Sequence, residues 1–468
     1  MAQGRLTVSR RLVTLAAVAA LALGCAPTRQ KPSVAPPTPT PSGAPSVTLA
    51  VYGPPPVIRA YDRVVQVWER RHPSVQVTVR AYPDHAQAMS AFVHAPPASR
   101  PDVFLVQQPD LTGLLAAKAV RRVDDLLTER EIDFGDSYNR GALEAFSADA
   151  ALQCMPADVS PLVVYYNPRL VEIDQVADTG TKPITQDTGW SYTEFLRAAR
   201  AVRAPGVRGV AIAPVLDQVA PFLWSSGGTV VDNVTKPTTL TLSQGGAAGG
   251  LRKLLRVVRN PALTFSRQAL ERSSALQRFE SGKLAMILGY RSLTPVLRAH
   301  QAFTFDVMPL PKLSKPATSA EMSGLCISSS SPHAGEAAGL VAGLVSDSAA
   351  SRLAATGYVM PTNLDVVNSD AFLQTGQRPL HSEVFGRAVR DAQLLPSTPS
   401  WGPVRDLVTQ SLEQFFYGPG TPPGPVVPDL QARLAALDQA SVPIFDPTKA
   451  TPTPTPVSTP SPGGSTRP

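Results

Sequence analysis

The stretch "VTLAVYGPPPVIRAYDRVVQVWERRHPSVQVTV" runs from Val47 to Val79 and reads as strand, helix, strand. Val47 to Tyr52 is mostly apolar and closes on Gly53-Pro54-Pro55-Pro56. Val57, Tyr61, Val64, Val65 and Trp68 then recur at the spacing of one helix face, and His72-Pro73 stops that helix. "SVQVTV" alternates with period two, as a half-buried strand does. A short helix fits residues 85 to 95. "PDVFLV" (Pro101 to Val106) is a continuous apolar run, the mark of a strand buried on both faces of a parallel sheet. Strand, helix, strand, helix, strand predicts a doubly wound α/β lobe. Ligands of such sheets sit beyond the carboxyl ends of the strands, here Tyr52 to Pro56 and Gln107 to Asp110.

Outward from this lobe, both ends of the chain change character. Arg5, Arg10 and Arg11 precede an apolar run, Leu12 to Leu23, too short to span a ~30 Å hydrocarbon core. A basic start, a short apolar middle and small residues describe an export signal. "LALGC" (Leu21 to Cys25) resembles the lipobox of bacterial lipoproteins, although Ala22 stands where that pattern usually has Leu. The resemblance implies a signal peptide over 1–24, an acylated Cys25 and lipid anchoring on the extracellular face of the cell membrane. Residues 25–46 read as a Pro/Thr-rich stalk and 447–468 as a disordered tail of the same composition.

The remaining residues, 47–446, exceed what one hydrophobic core usually serves, so two lobes are expected. A hydrophobic content of 43% with 17% charged residues suits a globular protein. The formal charge of +7 falls to about +4 once the three signal arginines leave. The positives are scattered, without an aromatic-interleaved basic stripe, which speaks against nucleic acid. No G-x-S-x-G, H-E-x-x-H or paired C-x-x-C is present, so no enzyme, metal or cofactor is expected. The six histidines are dispersed without metal-ligand spacing.

Several pieces in order carry a family resemblance: "VWERRHPSVQVTV", "RPDVFLV", "LVVYYNPRLV", "TGWSYTEFLRAARAV", "LWSSGGTVV", "LQRFESGKLAMILGY", "FDVMPLPK", "GLCISSSSPHAGEAAGLVAGLV" and "GYVMPTN". Together they resemble the extracellular solute-binding proteins of ABC importers, in the carbohydrate-binding branch that includes maltose-binding protein. Two departures stand out. "SADAAL" (Ser147 to Leu152) replaces a glycine-lysine hairpin, and a Gly-rich insertion is read at 244–250. The resemblance implies a two-lobed type II periplasmic-binding fold with hinge strands near 153–160, 324–328 and within 361–378. Lobe 1 is expected at about 47–155 and 327–365, and lobe 2 at about 158–322 and 370–446. It implies a monomer that holds a small solute between the lobes and delivers it to the transmembrane subunits of an ABC permease. The alternatives are a sensing or scaffolding lipoprotein without import, and a non-sugar ligand such as a glycerophosphodiester.

A sugar site wants aromatic faces and a few fixed polar groups. Of the four tryptophans, Trp68 and Trp190 read as structural. The resemblance places Trp224, Tyr290 and Trp401 at the cleft. It adds Asp158 from the first crossing, and Arg291 beside Tyr290 for an anionic ligand. The strand ends contribute Tyr52, Gln107, Gln108 and Asp110. Val106 and the three prolines replace residues of the maltose-type pattern, so the sugar class carries over and maltose does not. Tyr165-Tyr166 belongs to the "YYNP" strand motif rather than to an iron site. With Cys25 acylated, Cys154 and Cys326 remain. The family's hinge strands bring these two side by side, and both a disulfide and two buried thiols stand as readings.

Overall fold

A computed structural model describes residues 45–130, 135–176, 183–202, 204–300, 303–418, 427 and 429–446. The signal, Cys25, the stalk up to residue 44 and the tail from 447 lie outside the described residues. The strands are β1 (Ser46–Tyr52), β2 (Gln76–Tyr82), β3 (Val103–Gln107), β4 (Val120–Arg121), β5 (Ser147–Ala148), β6 (Ala151–Leu152), β7 (Met155–Pro161), β8 (Val163–Tyr166), β9 (Arg208–Ala211), β10 (Leu284–Gly289), β11 (Asp306–Met308), β12 (Thr318–Ser328) and β13 (Ala392–Gln393).

The first sheet has the order β13-β12-β3-β1-β2, with β4 and β7 also paired to β12. β1 runs parallel to both β2 and β3, in register Ser46 to Gln76 and Leu49 to Val103. Helix Pro55–Arg71 connects β1 to β2, burying Val57, Tyr61, Val64, Val65 and Trp68, and His72 caps it. β3 is buried from Val103 to Val106, while β2 at the sheet edge alternates between exposed and half-buried residues as far as Arg80. The second sheet has the order β11-β8-β10-β9. Of two hydrophobic cores, one contains Trp68 and Phe104 and extends onto Tyr165, Ile287 and Val307 of the second sheet, and the other contains Trp190 and Phe222 with Val164 and Met308 of that sheet.

Both local departures have a structural account. "SADAAL" does make a hairpin, β5 with β6, turned by Asp149 and Ala150 at positive φ. The Gly-rich run is no looped-out insertion. It opens helix Gly245–Val258, which packs on helix Leu216–Ser225. A Cβ on Gly250 would lie 2.4 Å from the Phe222 carbonyl oxygen, and one on Gly246 would lie 2.3 Å from that of Ser226. The glycines are there because two backbones touch.

Between the sheets run the crossing strands β7 and β12, antiparallel from Ala320–Pro161 to Leu325–Met155. A third strand of chain follows them: the Val159 amide donates to the Met360 carbonyl, and that of Thr362 to Ala157. One residue beyond the β7–β12 ladder, Cys154 and Cys326 are joined by a disulfide with Cα atoms 4.4 Å apart. Both cysteines are fully buried.

Candidate functional site

The crossing strand β12 presents its residues alternately to opposite faces. Ser319, Glu321 and Ser323 therefore share one face. Tyrosines reach that face from both sides. Tyr52, at the end of β1, donates its hydroxyl to Ser323 Oγ at 3.4 Å. Tyr290, just past β10, lies 3.3 Å from Ser319 Oγ, whose hydroxyl donates to the Asp217 carbonyl at 2.7 Å. Asp217 sits in the first turn of helix Leu216–Ser225.

Asp158 stands opposite Ser323 on β7, where the β7–β12 register shifts. Burial pushes its carboxyl up to about 7; the hydrogen bond from Ser323 opposes this and the charge of Glu321 adds to it. Glu321 is likewise pushed up to about 7, by the surrounding protein first and by Asp217 second. Its side chain is open to solvent, which softens that shift, so Asp158 is the stronger case. Burial also raises both tyrosine hydroxyls far above their usual range, so they remain neutral donors. The floor between the lobes is thus a strip of hydroxyls and carboxylates with a tyrosine at each end.

The residues after β3 are nearby but already engaged. Asp110 Oδ2 accepts from the Gln107 amide at 3.0 Å and meets His85 Nε2 at 2.6 Å. His85 in turn packs edge-on to the Tyr52 ring, with centroids 5.4 Å apart. Gln108 Nε2 donates to Ser397 Oγ at 3.5 Å, and Thr112 shares that hydroxyl at 3.0 Å.

Three expected ligand contacts are corrected. Arg291 is fully buried and spends its guanidinium on the protein. It donates to the carbonyls of Gly357 and Phe372 and to Ser382 Oγ, each at 3.1 Å. It also lies over the Phe372 and Phe385 rings, at 4.6 and 5.3 Å. Trp401 is 5% exposed, with its ring stacked on Phe445 at 6.3 Å. Trp224 is 4% exposed within the second core. Neither indole offers a free face. Tyr165 is buried too, bonded to Thr294 Oγ1 and the Tyr290 carbonyl. Among the described residues no group of three or more His, Cys, Asp or Glu is placed to hold a metal.

A family model, that of the bacterial extracellular solute-binding protein, matches residues 64–379, two thirds of the chain. The chain belongs to the bacterial extracellular solute-binding family. No curated protein sequence matches it. Solved structures do share its fold. The sugar-binding protein MalE of Xanthomonas citri superposes with a TM-score of 0.72 at 15% identity, covering 86% of this chain and 98% of that one. An ABC substrate-binding protein from Listeria monocytogenes, solved with cycloalternan, gives 0.70 at 18% identity over 85% and 98%. The GacH receptor of Streptomyces glaucescens, solved unliganded and with acarbose, gives 0.66 at 17% identity over 85% and 99%. The fold is that of the two-lobed type II binding proteins, and the family is one of receptors, not enzymes.

In this solute-binding protein, Ser319, Glu321, Ser323 and Asp217 went unread in the sequence. The first three had a signal: in "TSAEMSG" they alternate with Ala320 and Met322. Asp158 has a measurable consequence for stability. A carboxyl raised in the folded state favours folding fully below its unfolded value near 4, and that contribution is lost as pH rises through about 7. Asp158→Asn should therefore raise the unfolding free energy at pH 8 by about 1–3 kcal/mol and change little at pH 4. Urea denaturation at the two pH values checks this, and equal effects at both would contradict it.

Proposed function

We propose that the protein is a lipid-anchored extracellular receptor that binds a sugar or polyol between its lobes and hands it to an ABC permease. The observation that carries this reading is the strip of Ser319, Glu321 and Ser323 with Asp158 beside it and Tyr290 and Tyr52 at its ends. Carboxylates and hydroxyls at fixed positions suit vicinal hydroxyls, since charge-assisted hydrogen bonds are the strong ones. The tyrosine rings supply apolar faces. Sugar-complexed relatives of the same fold support the ligand class. Because the site lies on the crossing strands, a ligand that touches both lobes stabilises the closed form by its extra contacts there. The lipobox-like "LALGC" supports attachment through Cys25.

Small-angle scattering tests the closing step. The radius of gyration should fall when the bound sugar is added, and an unchanged value with saturating ligand would contradict it. Cys25→Ala should move the protein from the membrane fraction to the soluble one. A variant that stays with the membrane would remove the anchor from the reading. A sensing or scaffolding role without import is favoured by one observation, the burial of both Trp224 and Trp401. Its scaffolding form predicts that no sugar binds.

A further inference from the structure

Tyr61 comes from the core face of helix Pro55–Arg71, in line with Val57, Val64, Val65 and Trp68. A phenylalanine would serve that packing as well, since the residue is 3% exposed and belongs to the first core. Its hydroxyl has no hydrogen-bond partner in the protein. Buried tyrosine hydroxyls usually find one, and a buried donor left without one is costly.

Tyr61 lines a small enclosed cavity of about 10 Å³. Asp158 of β7, Thr362 and Asn363 of the third crossing, and Leu344 and Leu353 of helices Ala334–Val345 and Asp347–Ala354 share its walls. The cavity lies within the first core, and of the polar strip only Asp158 reaches it.

Size and lining suit one occupant. A single water needs about 10–15 Å³ and two to four polar partners. Thr362 gives its proton to the Pro156 carbonyl at 2.7 Å, so its oxygen keeps room to accept. Asn363 is engaged, donating to Asp347 at 2.7 Å and accepting from the Val366 amide at 3.1 Å. Asp158 and Tyr61 remain. Burial first, and the charge of Asp158 second, raise the Tyr61 hydroxyl far above its usual range, so it stays a neutral donor beside that carboxyl. No cation answers the carboxylate: Glu321 on β12 repels it, and Ser323 of β12, Tyr52 from the end of β1 and Tyr61 from the helix bring neutral hydroxyls. Among the described residues no group of three or more His, Cys, Asp or Glu could hold a metal instead.

We propose that this cavity is a binding site for one water, which accepts from the Tyr61 hydroxyl and donates to Asp158 and Thr362, and that Tyr61 is thereby a positioning residue for the cleft carboxylate. The water fixes the Asp158 side chain from the core side while Ser323 holds it from the cleft side. It also ties the first helix of lobe 1 to two of the crossing segments. The hydration site stands by itself; its effect on ligand rests on the sugar reading.

Two measurements test the site without any sugar. A crystal structure of wild type at high resolution should show one ordered water within about 2.6–3.0 Å of both the Tyr61 hydroxyl and the Asp158 carboxyl. In carbon-13 NMR of aspartate-labelled protein, with Asp158 assigned through Asp158→Asn, Tyr61→Phe should raise the Asp158 midpoint by about half a pH unit or more, because the ionised form loses a donated bond. A role in packing alone would move the melting point and leave that midpoint in place. An unoccupied cavity, a metal ion in it, or an unchanged midpoint in Tyr61→Phe overturns the proposal. The crystal result needs no variant, so it decides even if Tyr61→Phe fails to fold. A sugar that binds wild type should bind Tyr61→Phe about twofold or more weakly at pH 7.5, and equal affinity would remove the positioning role. A protein that shows the water and the shifted midpoint but binds no sugar retains this site and loses the sugar reading.

Discussion

Arg291→Ala is expected to lower the unfolding free energy by about 3–5 kcal/mol. The side chain is fully buried, and its three donors tie Gly357, Phe372 and Ser382 to the segment after β10. Its own amide donates to Ser160 Oγ on the crossing strand β7 at 2.7 Å. Burial lowers its pKa to about 10, which leaves it charged at any physiological pH. Removing the side chain strands two buried carbonyls, each worth about 1–3 kcal/mol when left without a partner, and opens a void between Phe372 and Phe385. Arg291→Lys should recover little, since an ammonium cannot reach three acceptors held in a planar fork. Chemical denaturation of the three proteins checks this. Equal stability of wild type and Arg291→Ala would mean the residue does not organise the third crossing.

The Cys154–Cys326 bridge should contribute nearly as much. It closes a loop of 172 residues, for which the chain-entropy account gives about 5 kcal/mol. Measured bridges often give less, so Cys154→Ala with Cys326→Ala is expected to cost about 2–4 kcal/mol. The chain is large and its unfolding entropy correspondingly so, hence the melting point should fall by only a few degrees. Both cysteines are fully buried, so reductant should act only after opening. The bridge lies where the two crossing strands run side by side. It fastens the hinge without spanning the cleft, and sugar affinity should be unchanged in the double variant. Mass spectrometry of unfolded, non-reduced protein is the direct check: two alkylatable thiols per chain would contradict the bridge.

The first lobe was legible in the sequence because its signals are local. The helix stripe from Val57 to Trp68, the stop at His72-Pro73 and the buried run of β3 depend on residues close in sequence. The Ser191–Glu194 capping box that opens helix Tyr192–Ala201 is local in the same way. What failed was accessibility, which depends on distant contacts. Trp401 begins the core stripe of Val404, Val408, Leu412 and Phe415 on its own helix rather than facing the cleft. That spacing was visible, whereas Phe445 covering the ring was not. Arg291 had no local signal at all, because its partners lie 66 to 91 residues away. In the Gly-rich run the sequence is ambiguous, because glycine signals a loop as readily as the close helix crossing found there.

The site was legible in part. Tyr52, Tyr290 and Asp158, all singled out from the sequence, stand on or beside the polar strip. Gln107, Gln108 and Asp110 cluster near it, though Asp110 and Gln108 already have protein partners. The carboxylate of Glu321 and the hydroxyls of Ser319 and Ser323 became visible only when β12 was seen to pair with β7.

Calorimetric titration with a panel of mono- and oligosaccharides at pH 7.5 tests the central claim most directly, using wild type, Asp158→Ala and Tyr290→Ala. The account predicts that at least one sugar binds wild type reversibly and unchanged. Its affinity should fall at least tenfold in each variant, equivalent to about 1.4 kcal/mol or more. A sugar that binds all three proteins equally, or a panel from which nothing binds, would contradict it.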